Sequence, residues 1–123
     1  MRPIQVKTST GILVADFAWQ ATAWSERARG WLGKPSAKAG EGLLLSPASS
    51  IHSVGMEFDL DLAFLDGRGK VLKAYQPLRK HRFAWGPWMA WLPGSSVQAL
   101  ELPAGALAAA GVKVGEQLTV EER

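Results

Sequence analysis

Residues 59–75 read Asp-Leu-Asp-Leu-Ala-Phe-Leu, then Asp-Gly-Arg-Gly, then Lys-Val-Leu-Lys-Ala-Tyr. The first run alternates polar and apolar residues at its start and then becomes wholly apolar. A glycine-rich break separates it from a second β-like run, and glycine supplies the positive φ that tight turns need. This predicts a hairpin between Asp59–Leu65 and Lys70–Tyr75, with a register that local sequence does not specify. Shorter runs of the same kind recur along the chain. Two lie within Ile4–Phe17, around Thr8-Ser9-Thr10-Gly11. Others are Leu43–Leu45, closed by Ser46-Pro47, then Ile51–Met56, Ser96–Leu102 and Gln117–Val120.

Helical signals are fewer. Trp24, Ala28, Trp31 and Leu32 fall at i, i+4, i+7 and i+8, one helical face. Thr22 suits the N-cap, because its hydroxyl accepts an unpaired N–H of the first turn. Gly33 and Pro35 suit a stop. The spacing therefore predicts a helix over about 22–32. Pro103-Ala104-Gly105 opens a second, alanine-rich helical turn at about 105–110, ending near Gly111. Lys34–Gly42 reads as a loop, and Gln76–Gly94 as a long irregular segment. Short strands at close spacing with one clear helix predict a mainly β fold, a sheet closed on itself or two packed sheets.

Length and composition agree with this. The chain has 123 residues, 47% hydrophobic and 20% charged. That is the size of a single domain, 1–123, with the balance of a soluble globular protein. The N-terminal residues lack the apolar stretch of a secretory signal. No apolar run approaches the length of a membrane span. A cytoplasmic location is the resulting expectation. There is no cysteine, which removes disulfides, thiolate metal sites and cysteine nucleophiles. Phosphate-binding and dinucleotide glycine motifs, the zinc His-Glu-x-x-His motif and the Gly-x-Ser-x-Gly elbow are all missing. No motif calls for a cofactor.

Four blocks resemble the domain-of-unknown-function 192 family of small bacterial and archaeal proteins. Glu26-Arg27-Ala28-Arg29-Gly30-Trp31-Leu32-Gly33 is similar to the family's Arg-x-x-Gly-Leu-Leu/Met-Gly segment. Gly42-Leu43-Leu44-Leu45 with Pro47 follows. The most specific block, Ile51 to Asp66, resembles Ile-His-Thr-x-Gly-Met-x-x-Pro-Ile-Asp-x-x-Phe-Leu-Asp. Leu100-Glu101-Leu102-Pro103-Ala104-Gly105 is the last. The resemblance spans roughly residues 22–120 and implies a compact β-sandwich or jelly-roll-like fold. It implies no established activity. Asp59 stands where the family has proline, and Trp31 where it has leucine. The tryptophans of residues 76–94 are not part of the pattern.

Several residues are candidates for chemistry. Glu57, Asp59 and Asp61 sit at i, i+2 and i+4, so on one strand they would share a face. Such a cluster holds a hard cation or divides acid and base work, unless it is simply a solvated face. His52 suits proton transfer near neutral pH, and with Asp61 it would serve a small hydrolase. Neighbouring strand residues point to opposite faces, so His52 and Ser53 cannot act as base and nucleophile. Glu101 alternates with Leu100 and Leu102. It reads as an exposed strand residue, as half of a structural ion pair with Arg27, or as half of an Arg–Glu pair in a pocket, with structural pairing ranked first. Arg27, His52, Met56 and Asp61 occupy family motif positions.

Charge is segregated. Gly40–Gly67 carries five acids and no Lys or Arg, and Gly67–Leu100 carries six Lys or Arg and no acid. Arg79-Lys80-His81-Arg82 leads directly into a segment holding Phe83, Trp85, Trp88 and Trp91. Basic residues beside aromatics hold phosphates and stack on bases. Indoles also stack on sugars or meet a membrane or protein surface. Alternatively the segment is a lid whose indoles are core, since six tryptophans carry a large apolar area for so small a domain. A net charge of only +3 weighs against nucleic acid. The sequence favours a non-enzymatic binding or accessory module for a small molecule or a protein partner. Its candidate ligand-binding residues are Arg27, His52, Met56, Asp61, Arg79, Arg82, Trp85, Trp88 and Glu101.

Overall fold

A computed structural model describes residues 1–123. Nine strands follow in order: β1 (Arg2–Thr8), β2 (Leu13–Ala21), β3 (Glu41–Leu45), β4 (Ser50–His52), β5 (Leu60–Leu65), β6 (Val71–Leu78), β7 (Phe83–Trp85), β8 (Gln98–Pro103) and β9 (Leu118–Glu122). Helix α1 (Trp24–Arg29) joins β2 to β3, and α2 (Ala106–Ala109) follows β8. Trp88–Trp91 is a single 3-10 turn. The fold is mainly β, as the sequence predicts. No helix is long and apolar enough to cross a membrane.

Seven strands form one sheet in the order β6-β5-β8-β3-β2-β1-β9, while β4 and β7 pair separately. The large sheet curls until its edges touch. Lys70 bridges Gln117, Val71 N–H donates to Glu116 O at 2.9 Å, and Leu118 N–H donates to Gly69 O at 2.9 Å. The expected hairpin is β5–β6, with Leu62 opposite Tyr75 and Phe64 opposite Lys73. Thr8 closes the first hairpin, its Oγ1 accepting the Ile12 N–H at 3.1 Å.

Both faces of the central strands are covered, so alternate residues feed two cores. One holds Ile4, Val6, Leu44, Ala63, Leu65, Leu100, Leu102 and Leu107. The other holds Leu43, Leu45, Leu60, Leu62, Phe64 and Ala99, and is capped by Trp31 and Met56. This explains why all six residues of β5 are buried.

Some local expectations need correction. Helix α1 has six residues rather than eleven, and Ala23, not Thr22, is its N-cap. Gly30 ends it in a positive-φ conformation (φ 52°), three residues before the predicted stop. None of its residues is buried, and Trp24 points to solvent. Trp31 is buried beyond the helix end, its ring 5.8 Å from that of Phe58. The strand expected at Ile51–Met56 stops at His52, where a turn closes through Met56 N–H to Ser53 O at 3.0 Å.

Closure of the curled sheet requires glycine at position 69. Its φ is +94°, and a Cβ there would lie 2.3 Å from Leu118 O. Gly115 has a similar φ of +95° with open space around it. Gly69→Ala is expected to destabilise by at least about 2 kcal/mol, and Gly115→Ala by only about 1 kcal/mol, the left-handed strain alone. Urea denaturation of both variants separates clash from strain, and equal losses would refute the close-approach argument.

Candidate functional site

Strand β8 lies between β5 and β3, and its register puts Glu101 opposite Leu62 on one side and Leu43 on the other. Glu101 therefore points into the second core and is only 2% exposed. Its Oε2 has no hydrogen-bond partner. Burial pushes the carboxyl up to about 8, because an apolar setting disfavours the charged form. At pH 7 the group is mostly a neutral acid.

Glu101 forms the floor of a cleft of about 200 Å³. Leu45 of β3, Ile51 of β4, Met56 and Trp31 supply apolar walls, and Arg27, Arg29 and His52 stand among the lining residues. Gly30 roofs the carboxyl. A Cβ at that position would sit 3.2 Å from Glu101 Oε2, so the glycine lets the backbone pack closely over the acid. Arg27 is held by its donors to Thr22 O (3.0 Å) and Pro47 O (3.2 Å). Neither Arg27 nor Arg29 takes part in any of the molecule's ion pairs. The ranking that put a structural Arg27–Glu101 pair first is thereby corrected, as is the reading of Glu101 as an exposed residue. A central strand covered on both faces has no solvent side for it.

Four candidates, Arg27, His52, Met56 and Glu101, thus come together. Asp61 does not join them. It lies on the opposite face of β5, buried, with Oδ2 accepting the Leu107 N–H of α2 at 3.0 Å. His52 and Asp61 therefore share no cavity, and the hydrolase pair suggested by the sequence is not assembled. Glu57 and Asp59 precede β5 in a loop, where Asp59 Oδ1 accepts the Lys80 N–H at 3.0 Å. The three carboxylates do not share a strand face, and no group of three His, Asp or Glu is placed to hold a metal ion.

The tryptophan segment is separate again. Trp85, Trp88 and Trp91 are exposed, as is Phe83, so the reading of a lid with buried indoles is corrected. Small residues, Ala84, Gly86 and Ala90, take the inward positions instead. Arg79 and Arg82 flank this face on a turn clamped by buried Ser53, whose Oγ accepts the Arg82 N–H at 2.9 Å.

Sequence reasoning missed Arg29, Gly30 and Ile51 as parts of the cleft. Arg29 lay off the apolar stripe and read as solvent-facing. The available signal was the Arg-x-x-Gly segment, where glycine directly follows Arg29.

The DUF192 family model, described as "Uncharacterized ACR", matches residues 6–120. The chain belongs to this family. Two solved structures share its fold. One is a protein from Sinorhizobium meliloti provisionally named a transcription regulator. It has TM-score 0.74 and 17% identity, over 97% of this chain and 92% of that one. The other, a protein of unknown function from Novosphingobium aromaticivorans, has TM-score 0.74 and 19% identity, over 95% and 83%. No curated protein matches. At these identities the likeness establishes the DUF192 fold alone.

Substitutions at Glu101 and Asp61 separate the two buried acids. For Glu101 the folded-state value lies above the ordinary 4.5, so the native protein retains a proton that the unfolded chain releases. Its stability contribution is full below about pH 4.5 and is lost as pH rises towards 8, at up to about 1.4 kcal/mol per pH unit. Glu101→Gln is expected to flatten that decline in chemical denaturation measured from pH 5 to 9. A slope identical to the parent's would refute the assignment. Asp61→Ala leaves the Leu107 N–H buried and unpaired, and is expected to cost about 1–3 kcal/mol. Asp61→Asn, which keeps an acceptor oxygen, is expected to recover part of that loss in the same assay.

Proposed function

We propose that this DUF192 protein is a non-enzymatic binding module whose ligand is a small carboxylate with an apolar body, taken into the cleft above Glu101. The observation that carries this reading is the Glu101 carboxyl, fully buried at the cleft floor with Oε2 unpartnered. A buried polar atom without a partner costs free energy, and a ligand oxygen accepting its proton removes that cost. The charge of the lining supports an anion. With Glu101 neutral, Arg27 and Arg29 are the charged groups of the lining, and guanidinium matches carboxylate in two-pronged geometry. Leu45, Ile51, Met56 and Trp31 suit an apolar chain between these polar ends. A pocket with apolar walls and a few convergent polar groups is the usual form of a small-molecule site.

Thermal-shift titration with 3-phenylpropionate and 4-methyl-2-oxopentanoate, each beside its uncharged amide, tests the reading. A carboxylate at about 100 times its dissociation constant adds roughly 2.7 kcal/mol, which is several degrees for a domain of this size. The amides are expected to give little. Arg29→Ala is expected to abolish the carboxylate response while leaving the unliganded melting temperature nearly unchanged, since that side chain is exposed and unpaired. Equal responses to acid and amide, or no response to either, would overturn the proposal.

A further inference from the structure

Residues 83–100 contain no charged side chain, yet their largest apolar groups face outward. Trp88 is 73% exposed, Phe83 60%, Trp85 56% and Trp91 54%, with Leu92 beside them. The segment is anchored, not frayed. Ala84 and Ala90 are buried in the second core, and Gly86 lies so close to Ser49 that a Cβ would meet its carbonyl at 2.6 Å. The Trp85 carbonyl accepts from Lys73 Nζ at 2.8 Å and from Tyr75 OH at 3.2 Å. Small residues inward and large residues outward invert the usual partition, and a contiguous apolar patch of this kind marks an interaction surface.

The charge beside the patch restricts the partner. Arg79, Lys80 and Arg82 project from the turn that enters β7. They are exposed and take part in none of the ion pairs. The one acid tied to this turn, Asp59, engages a backbone N–H. The partner is therefore anionic where it meets the turn and apolar where it meets the indoles. Cations and rings are laid out in adjacent blocks, not interleaved. Phe83 and Trp85 stack on each other, centroids 6.0 Å apart and planes 15° apart, and Trp85 meets Trp91 at 5.9 Å. A single-stranded nucleic acid needs free ring faces on which successive bases stack, along a basic groove that tracks its backbone, whereas Phe83, Trp85 and Trp91 here pack against one another. An anionic bilayer instead offers a charged headgroup layer over an apolar interior, and tryptophan favours the boundary between them. Basic residues beside a buried apolar tip are the pattern of proteins that lie on such a surface.

We propose that the face formed by Trp85, Trp88, Trp91 and Leu92, with Arg79, Lys80 and Arg82 at its rim, docks onto an anionic lipid surface. The test is co-sedimentation of the full chain with vesicles of phosphatidylcholine alone or mixed with phosphatidylglycerol, with tryptophan emission followed in parallel. Binding to the mixed vesicles is expected, with a blue shift in emission. Trp88→Ala with Trp91→Ala is expected to remove most binding without lowering stability, because both indoles are exposed. Replacing Arg79, Lys80 and Arg82 by Gln is expected to weaken binding to mixed vesicles by about fivefold for each charge removed. No binding to either vesicle, or binding that both variants leave unchanged, would overturn the proposal. So would salt-sensitive binding to oligothymidylate in preference to lipid, or a dimer in gel filtration that the tryptophan variant dissociates.

Discussion

A carboxyl group buried on a central strand with no partner for its Oε2 gives the candidate site its character. Isolated ionised carboxylates are too costly to hold in an apolar core, so such a group takes up a proton instead. Glu101 does this because β8 is flanked by β5 and β3 and packed on both faces. Its neighbours Leu100 and Leu102 serve one core while it projects into the other. The cleft above it exists because α1 stops at Gly30, where a side chain would press on the acid. The early helix end, the close cover over the carboxyl and the two guanidiniums are consequences of one short segment, Arg27–Gly30.

The two buried acids show how strand alternation assigns different work to similar residues. Asp61 and Glu101 sit on neighbouring strands, with Asp61 opposite Leu102 and Leu62 opposite Glu101. They therefore point to opposite faces. On its face Asp61 meets the first turn of α2 and accepts a backbone N–H. That bond ties β5 to the segment following β8 and makes Asp61 a structural acceptor. Glu101 meets no donor in the protein for Oε2. Each acid keeps one unpartnered oxygen, Asp61 Oδ1 and Glu101 Oε2, so what separates them is the α2 N–H that Asp61 Oδ2 accepts and the cleft that Glu101 lines, neither of which a local motif encodes.

Much of the fold was legible in the sequence, and the reasons for the failures are specific. The β5–β6 hairpin was readable because both its signals, a β-like run and a glycine turn, are local. The side of β8 on which Glu101 lies was also readable, by alternation with Leu100 and Leu102. Its burial was not, because that depends on strand order across the sheet, and β8 pairs only with strands far earlier in the chain, Leu65↔Gln98 being the nearest pair in sequence and Leu43↔Glu101 the most distant. Helix α1 was overextended because Trp24 and Trp31 share a helical stripe although only Trp31 has a core to face. Tryptophan area suggested buried indoles, yet Ala84, Gly86 and Ala90 already fill the inward space.

Ser53 connects the cleft to the aromatic face. Strand β4 pairs with β7 so that Ser50, Ile51 and His52 face Trp85, Ala84 and Phe83. Side chains alternate, so a slip of one residue would bury Phe83 and Trp85 and expel Ala84. A pairing of three residues has little of its own to prevent that. Immediately after it, Ser53 donates its N–H to Arg82 O at 2.8 Å and accepts the His81 N–H at 2.9 Å. Its Oγ also accepts from Arg82 N–H. These bonds lock the register from one end. They set His52 at the cleft, 5.9 Å from the Phe83 ring, and hold Trp85 outward. At the other end of the pairing the Gly86 N–H donates to Ser49 O at 2.8 Å, so the short β4–β7 ladder is held from both sides, and the Ser53 turn is the point at which the cleft residue His52 and the aromatic face share one anchor.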